Sequence, residues 1–177
     1  MARCAVCKQP FERRSMTHKA CSPECAAEYA KRERIKKEAK EIRARKLAIK
    51  PRSQWLKEAQ NAFNSYIRSR DKGQPCICCG QPLGAEQVGG GFDAGHYRSV
   101  GSAPHLRFDE RNCHGQRKVC NRYGSGRAVD YRLGLISRIG LDQVEAIEAD
   151  NEPRKYRIED LKEIITTYKT KLKELRS

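Results

Sequence analysis

The segment NCHGQRKVCN, residues 112–121, decides how this chain is read. Two asparagines stand nine residues apart, with two cysteines and a histidine between them. Upstream lies DAGHY, residues 93–97, with His96 next to a glycine and Asp93 three residues before it. An apolar core has no use for amides, thiols and an imidazole in one short stretch. Metal binding and proton transfer do. Thiolates hold zinc, a neutral imidazole accepts a proton near pH 7, and carboxylate or amide oxygens hold a hard cation.

Composition narrows the partner. Of 177 residues, 38% are hydrophobic and 33% charged, which predicts one or two small domains rather than one large core. Lys plus Arg number 37 against 22 Asp plus Glu, a net charge of +15 that points to a polyanion, above all nucleic acid. A membrane surface fits less well. No apolar run approaches the roughly 20 residues of a spanning helix, and the basic segment lacks a rich apolar face. The N-terminus, MARCAVCKQP, has no apolar signal region, so the cytoplasm is the expected compartment. Thiols stay reduced there, and nine cysteines then read as metal ligands before disulfides.

Four parts follow along the chain. Residues 1–27 contain Cys4 and Cys7, then Cys21 and Cys25, two close thiol pairs suited to one tetrahedral structural zinc. His18 lies between the pairs as a weaker candidate ligand. Residues 28–73 hold a basic arm and a second helix. KRERIKKEAKEIRARKLAIK, residues 31–50, carries ten Lys or Arg, three Glu and no Gly or Pro. It reads either as a solvated spacer or as a phosphate-binding helix, with Lys36, Lys37, Arg43 and Arg45 as contacts. After Pro51, Ser53 is the expected N-cap of a helix whose Trp55 and Phe63 belong to a core. Residues 74–125 carry the chemistry: a knuckle, PCICCGQPL, then FDAGHYRS and HLRFDE, which read as two strands or as a strand and an extended loop. Residues 126–177 are helical. Asp142 is expected to start one helix, with Glu145 completing a capping box. In the last helix Ile158, Leu161, Ile165, Tyr168, Leu172 and Leu175 repeat at steps of 3 and 4. That stripe either docks on the chain's own core or forms a homodimer seam.

Hydrolysis of a phosphodiester needs a base for water, a cation for the leaving oxygen, and groups that hold both still. His96 suits the base, and Asn112 suits the fixing of a loop by its amide. Asp93 and Asn121 supply oxygens for Mg²⁺ or Mn²⁺.

The run CICCG, FDAGHY and RFDERNCHGQRKVCNR resembles the HNH, or ββα-metal, nucleases. More narrowly, CSPEC, KPRSQW, DAGHYR, LRFDERN and YRLGLISRIG together resemble the phage NinG/Rap recombination endonucleases over nearly the whole chain. The resemblance implies an α+β fold: a small zinc-stabilised ββα core, long flanking helices and an N-terminal zinc knuckle. It implies a structure-specific endonuclease of phage recombination, working in a bacterial cytoplasm on branched DNA such as Holliday junctions and D-loops.

Two departures from the family pattern matter. Many HNH motifs place an acid directly before the base, where this chain has Gly95. The family pattern also has a Cys where this chain has Arg117, which leaves Cys76, Cys79 and Cys120 at the second zinc site. Cys113 is the first choice for the fourth ligand, with His114 and Cys78 as alternatives and a metal-free site as another. His114 otherwise pairs with backbone or phosphate, and His105 is expected at the surface. Arg98, Arg107, Arg111, Lys118 and Arg122 cluster near the site as phosphate contacts. The competing reading is a zinc-containing nucleic-acid-binding protein without catalysis.

Overall fold

The computed structural model describes residues 2–84 and 91–177. Its contacts divide the chain into two compact units, residues 1–50 and 51–177. The basic arm therefore groups with the N-terminal cysteines, and the helix after Pro51 groups with the rest.

In the first unit a minimal hairpin, β1 (Ala2–Arg3) and β2 (Pro10–Phe11), precedes one long helix, α1 (Pro23–Ala48). The helix begins where the sequence gives it a cap. Ser22 Oγ accepts the Cys25 N–H, Pro23 occupies the first turn, and Glu24 faces the positive end of the helix dipole. No residue of α1 is buried. Good helix formers and pairs such as Glu28–Arg32 and Glu33–Lys36, both at 2.7 Å, support it in solvent. At 1.5 Å per residue its 26 residues reach about 39 Å.

The second unit is built on two helices. On α2 (Arg52–Arg70), Ala59, Phe63 and Ile67 recur at helical spacing. They meet Leu161, Ile165 and Tyr168 of α5 (Ile158–Glu174) in one core. Phe63 stacks edge-on to Tyr168 and to Phe108, at 4.9 and 5.7 Å between ring centroids. An antiparallel hairpin of β3 (Phe92–His96) and β4 (Cys113–Arg117) lies beside them, with Ala94 opposite Gly115 and His96 opposite Cys113. A π-helical turn, Val119–Tyr123, follows β4. Then come α3 (Ala128–Ile139) and α4 (Leu141–Ala149).

Strand alternation gives the hairpin two faces. Ala94 and Cys113 pack into the α2–α5 core. On the other face the fully buried Tyr131 of α3 donates its hydroxyl to Gly95 O at 2.8 Å and accepts from His114 N–H at 3.0 Å. The outer edge of β4 is closed by Asp71, whose carboxylate accepts the Gly115 N–H at 2.7 Å, and by Ile77 N–H, which reaches Gly115 O. Gly134 of α3 is required by the same packing, because a Cβ there would collide with the Ile77 carbonyl.

Asp71 is 3% exposed and caps the C-terminus of α2. Burial opposes its charge, yet Arg70 and the Gly115 N–H hold it well below the usual carboxylate range. Arg70 donates two bonds to it, at 2.7 and 3.0 Å.

Several sequence expectations change. The fold is mixed α+β and helix-rich, and among the described residues the sheets are two-stranded. The second strand is Cys113–Arg117; HLRFDE instead forms parts of two 3₁₀ turns, Pro104–Leu106 and Glu110–Asn112. Pro51, not Ser53, is the N-cap of α2, so the helix starts two residues earlier. Gly140, at φ 86°, caps α4, so Asp142 lies inside the helix and forms no capping box. His105 is buried, its Nε2 on Asp150 O at 2.7 Å. Of the stripe on α5, Leu161, Ile165 and Tyr168 are core, covered by α2, while Leu175 is exposed. Leu161→Ala should lower the unfolding free energy by about 2–5 kcal/mol. Urea melts check this, and the midpoint should not move with protein concentration, as it would for a seam between copies.

Candidate active site

The segment between β3 and β4, residues 97–112, is irregular apart from two 3₁₀ turns, and Asn112 is one of the side chains that hold it. Asn112 is fully buried. Its Oδ1 accepts Arg98 N–H at 2.8 Å, and its Nδ2 donates to Arg98 O and Leu106 O at 3.0 and 3.2 Å. Its own carbonyl accepts the Tyr97 N–H. One amide thereby ties both ends of the loop to the start of β4.

That loop presents a carbonyl to His96. The ring Nε2 lies 3.0 Å from Arg107 O. A carbonyl only accepts, so Nε2 carries the proton and Nδ1 keeps its lone pair in the neutral ring. Burial holds His96 below the ordinary histidine pKa; the Arg107 carbonyl pulls the other way and the Arg107 charge adds to the lowering. Phe63 lies 6.1 Å away between centroids, and the Cys113 thiol stands 3.7 Å from Nδ1. A neutral, oriented imidazole of this kind can accept a proton from water.

Asp93 and Asn121 come together: Asn121 Nδ2 donates to Asp93 Oδ2 at 3.0 Å. Arg122 occupies the same carboxylate with both oxygens, at 2.8 and 2.9 Å. Burial would raise the Asp93 pKa, but the bonds from Arg122 and Asn121 lower it. On β3, Asp93 and Gly95 share the face opposite to His96. An acid directly before His96 would also point to that face. A Cβ on Gly95 would meet the buried Gln116 Oε1, so a side chain there requires Gln116 to shift. Asp93, two residues back, is the carboxylate this face retains.

The cysteines form two groups. Cys4, Cys7, Cys21 and Cys25 bring four sulfurs within 4.8 Å of one another, with Cys7–Cys21 at 3.4 Å and Cys21–Cys25 at 3.8 Å. A tetrahedral zinc with bonds of about 2.3 Å needs sulfurs about 3.8 Å apart, so this set fits. Cys76, Cys79 and Cys120 form a second group of three, which fits a zinc with one further donor. The Cys78 thiol draws Cys76 down to about 4, against burial and with help from the backbone N–H groups of Arg117, Cys79 and Cys78. A thiolate there is ready for a metal.

The family model for the bacteriophage lambda NinG protein matches residues 1–177. The chain belongs to the NinG family. It is 44% identical to the NinG protein of Salmonella phage P22 over 174 residues, 88% of this chain and 83% of that protein. It is 43% identical to that of Escherichia phage lambda over 175 residues, 89% of this chain and 83% of the relative. With Escherichia phage 933W the figure is 40% over 193 aligned residues, 99% and 94% of the two chains. No solved structure matches.

Within this NinG-family chain, some predicted residues do other work. Cys113 is not a fourth zinc ligand: it is fully buried in the α2–α5 core beside His96, because it faces inward from β4. Nor is His114, whose Nδ1 accepts from Arg70 at 3.1 Å and whose Nε2 faces Arg111 O. Cys78 accepts from Gln116 Nε2 at 2.9 Å. His18 stays outside the thiol group and stacks edge-on to Phe11 at 5.1 Å. Arg98 is turned from DNA to structure, bonding Ile147 O, Glu148 O and Asp150 O at the C-terminal end of α4. Arg107 gives its side chain to Gln60 at 3.1 Å and its carbonyl to His96. Arg111 pairs with Asp109 at 2.7 Å. Lys37, Arg43 and Arg45 are exposed along α1, and Lys36 pairs with Glu33.

Sequence reasoning missed the Arg107 carbonyl, Gln116 and Asp71. A main-chain oxygen leaves no mark in the sequence, and neither polar side chain belongs to a metal-ligand pattern. Metal analysis should show less zinc in Cys7→Ser and in Cys120→Ser, and an unchanged zinc content in Cys113→Ser. Loss of zinc in the last variant would return Cys113 to the ligand set.

Proposed function

We propose that this chain is a metal-dependent DNA endonuclease of phage recombination that cuts branched DNA such as Holliday junctions and D-loops. One observation carries the reading: His96 is a neutral imidazole whose Nε2 is tied to a loop carbonyl, and that loop is held by the buried Asn112. A hairpin with His at its end, Asn at the close of the loop and Asn121 on the ensuing helical turn is what the ββα-metal resemblance implies. The net charge of +15 and the exposed α1 favour a polyanionic partner.

In this reading His96 Nδ1 takes the proton of the attacking water while Arg107 O holds the ring. Asn112 is a positioning residue, acting through the loop. Asp93 and Asn121 would hold Mg²⁺ or Mn²⁺, which supplies charge stabilisation to the phosphate and leaving oxygen. Arg122 must then release Asp93, and a DNA phosphate is an alternative partner for its guanidinium. Lys36, Lys37, Arg43 and Arg45 grip the backbone. Lys118 and Arg122 contribute beside the site.

The arm of Arg122 on Asp93 favours a second reading, a zinc-containing nucleic-acid-binding protein without catalysis. Labelled four-way junction incubated with the purified chain, with and without Mg²⁺ or Mn²⁺, separates the two. His96→Ala should abolish cutting and keep junction binding. Because only neutral His96 accepts a proton and its pKa is lowered, activity should fall on the acid side only below about pH 6.5, the ordinary histidine value. Wild-type cutting by the variant would remove His96 from the role.

Arg122→Gln should tighten Mn²⁺ binding in the absence of DNA, by up to about fivefold, the worth of an exposed ion pair. Mn²⁺ titration by electron paramagnetic resonance reads this directly. Unchanged or weaker binding would show that the guanidinium and the cation do not compete for Asp93.

A further inference from the structure

The second unit has six tyrosines, and five are built into it. Tyr66, Tyr97, Tyr131, Tyr156 and Tyr168 each donate the hydroxyl to an acceptor within the unit. Tyr123 differs. Its side chain is 83% exposed and its hydroxyl makes no hydrogen bond among the described residues. It stands on the five-residue π-helical turn that carries Asn121, two positions away, and next to Arg122. Val119, one turn back on the same element, is also exposed, at 61%. Lys118 precedes this apolar pair, and Arg127, paired with Asp130 at 2.7 Å, follows it.

An aromatic ring in water loses the burial it could gain elsewhere. π-Helical turns are rare and concentrate at functional places. A protein partner would find this ring set among cations, which protein interfaces tend to exclude from their centres. A nucleic-acid strand offers both complements at once: phosphates for the cations, and a flat base for the ring. Base pairs in a continuous duplex keep their faces stacked and hidden. Only an unpaired base presents a face to a side chain of this kind.

We propose that Tyr123 stacks on an unpaired DNA base beside the Asp93–Asn121 pair, and that this contact makes the chain prefer branched or single-stranded DNA over duplex. The proposal deepens the nuclease reading and rests on it for the placement of DNA at this turn. No covalent step is involved. The ring, rather than the hydroxyl, is the working part.

The test uses the full zinc-loaded chain without Mg²⁺ or Mn²⁺, so that binding is read without cutting. Splayed-arm DNA and a continuous duplex of the same length are titrated by fluorescence anisotropy. Tyr123→Ala should weaken splayed-arm binding roughly 5- to 150-fold, the range for loss of one base–aromatic stack. Duplex binding should change less than about twofold. Tyr123→Phe should bind as the wild type, and thermal melting should show all variants folded, since the residue is exposed. With 5-iododeoxyuridine in the unpaired segment, irradiation should link the DNA to Tyr123. Equal splayed-arm affinity for Tyr123→Ala and wild type, or a crosslink at another residue, would overturn the proposal. A chain that shows this preference yet never cuts DNA with Mg²⁺ or Mn²⁺ sinks the nuclease reading alone. Failure to bind either DNA sinks both.

Discussion

A two-stranded hairpin of five-residue strands cannot stand alone in water, and the second unit is arranged around that constraint. The β3–β4 hairpin must have both faces covered and its open edge closed. The α2–α5 pair covers one face through Phe63 and its neighbours. The Tyr131 hydroxyl of α3 bridges both strands from the other. Asp71 and the knuckle close the edge of β4. Each cover is also a tether. His96 and Asn121 sit on segments that could not keep their places without it.

The buried charges follow from the same need. Asp71 lies where a helix end, a strand edge and α3 converge. Left without partners, a carboxylate there would cost several kcal/mol. Arg70 and the Gly115 N–H satisfy it, and Arg138 of α3 lies 3.7 Å away. His114, a motif residue with chemical potential, is used up in this network as a neutral acceptor. On the opposite face His96 keeps one nitrogen uncommitted to backbone. The difference comes from strand alternation, which sends neighbouring histidines and cysteines to opposite sides. The first unit shows the other extreme. Its helix α1 buries nothing, and the cysteine group at its start replaces a core with metal-ligand chemistry.

Much was legible in the sequence. The 3.6-residue periodicity of Ala59, Phe63 and Ile67 announced α2, and the uninterrupted helix formers of residues 31–50 announced α1. Close cysteine spacing announced the thiol groups, because ligands three or four residues apart meet across one turn. The grouping of Asp93 with Asn121 and the loop-holding role of Asn112 were expected from side-chain chemistry, and both contacts are present. None of the described helices is long and apolar enough to cross a membrane.

What local pattern could not decide was which way a residue faces and what meets it there. The stripe on α5 suits a dimer or a core equally, and only the apposed α2 makes it core. Cys113 has a ligand's chemistry, but its place opposite His96 turns it into the apolar interior. Arg98 has a phosphate contact's charge, yet three carbonyls at the end of α4 claim it. The sequence by itself determined the long helices, the thiol groups and the candidate chemistry, since these depend on residue type and short spacing. The tertiary structure alone decided facing and partnership, since these depend on segments about 15 to 100 residues apart that meet only after folding.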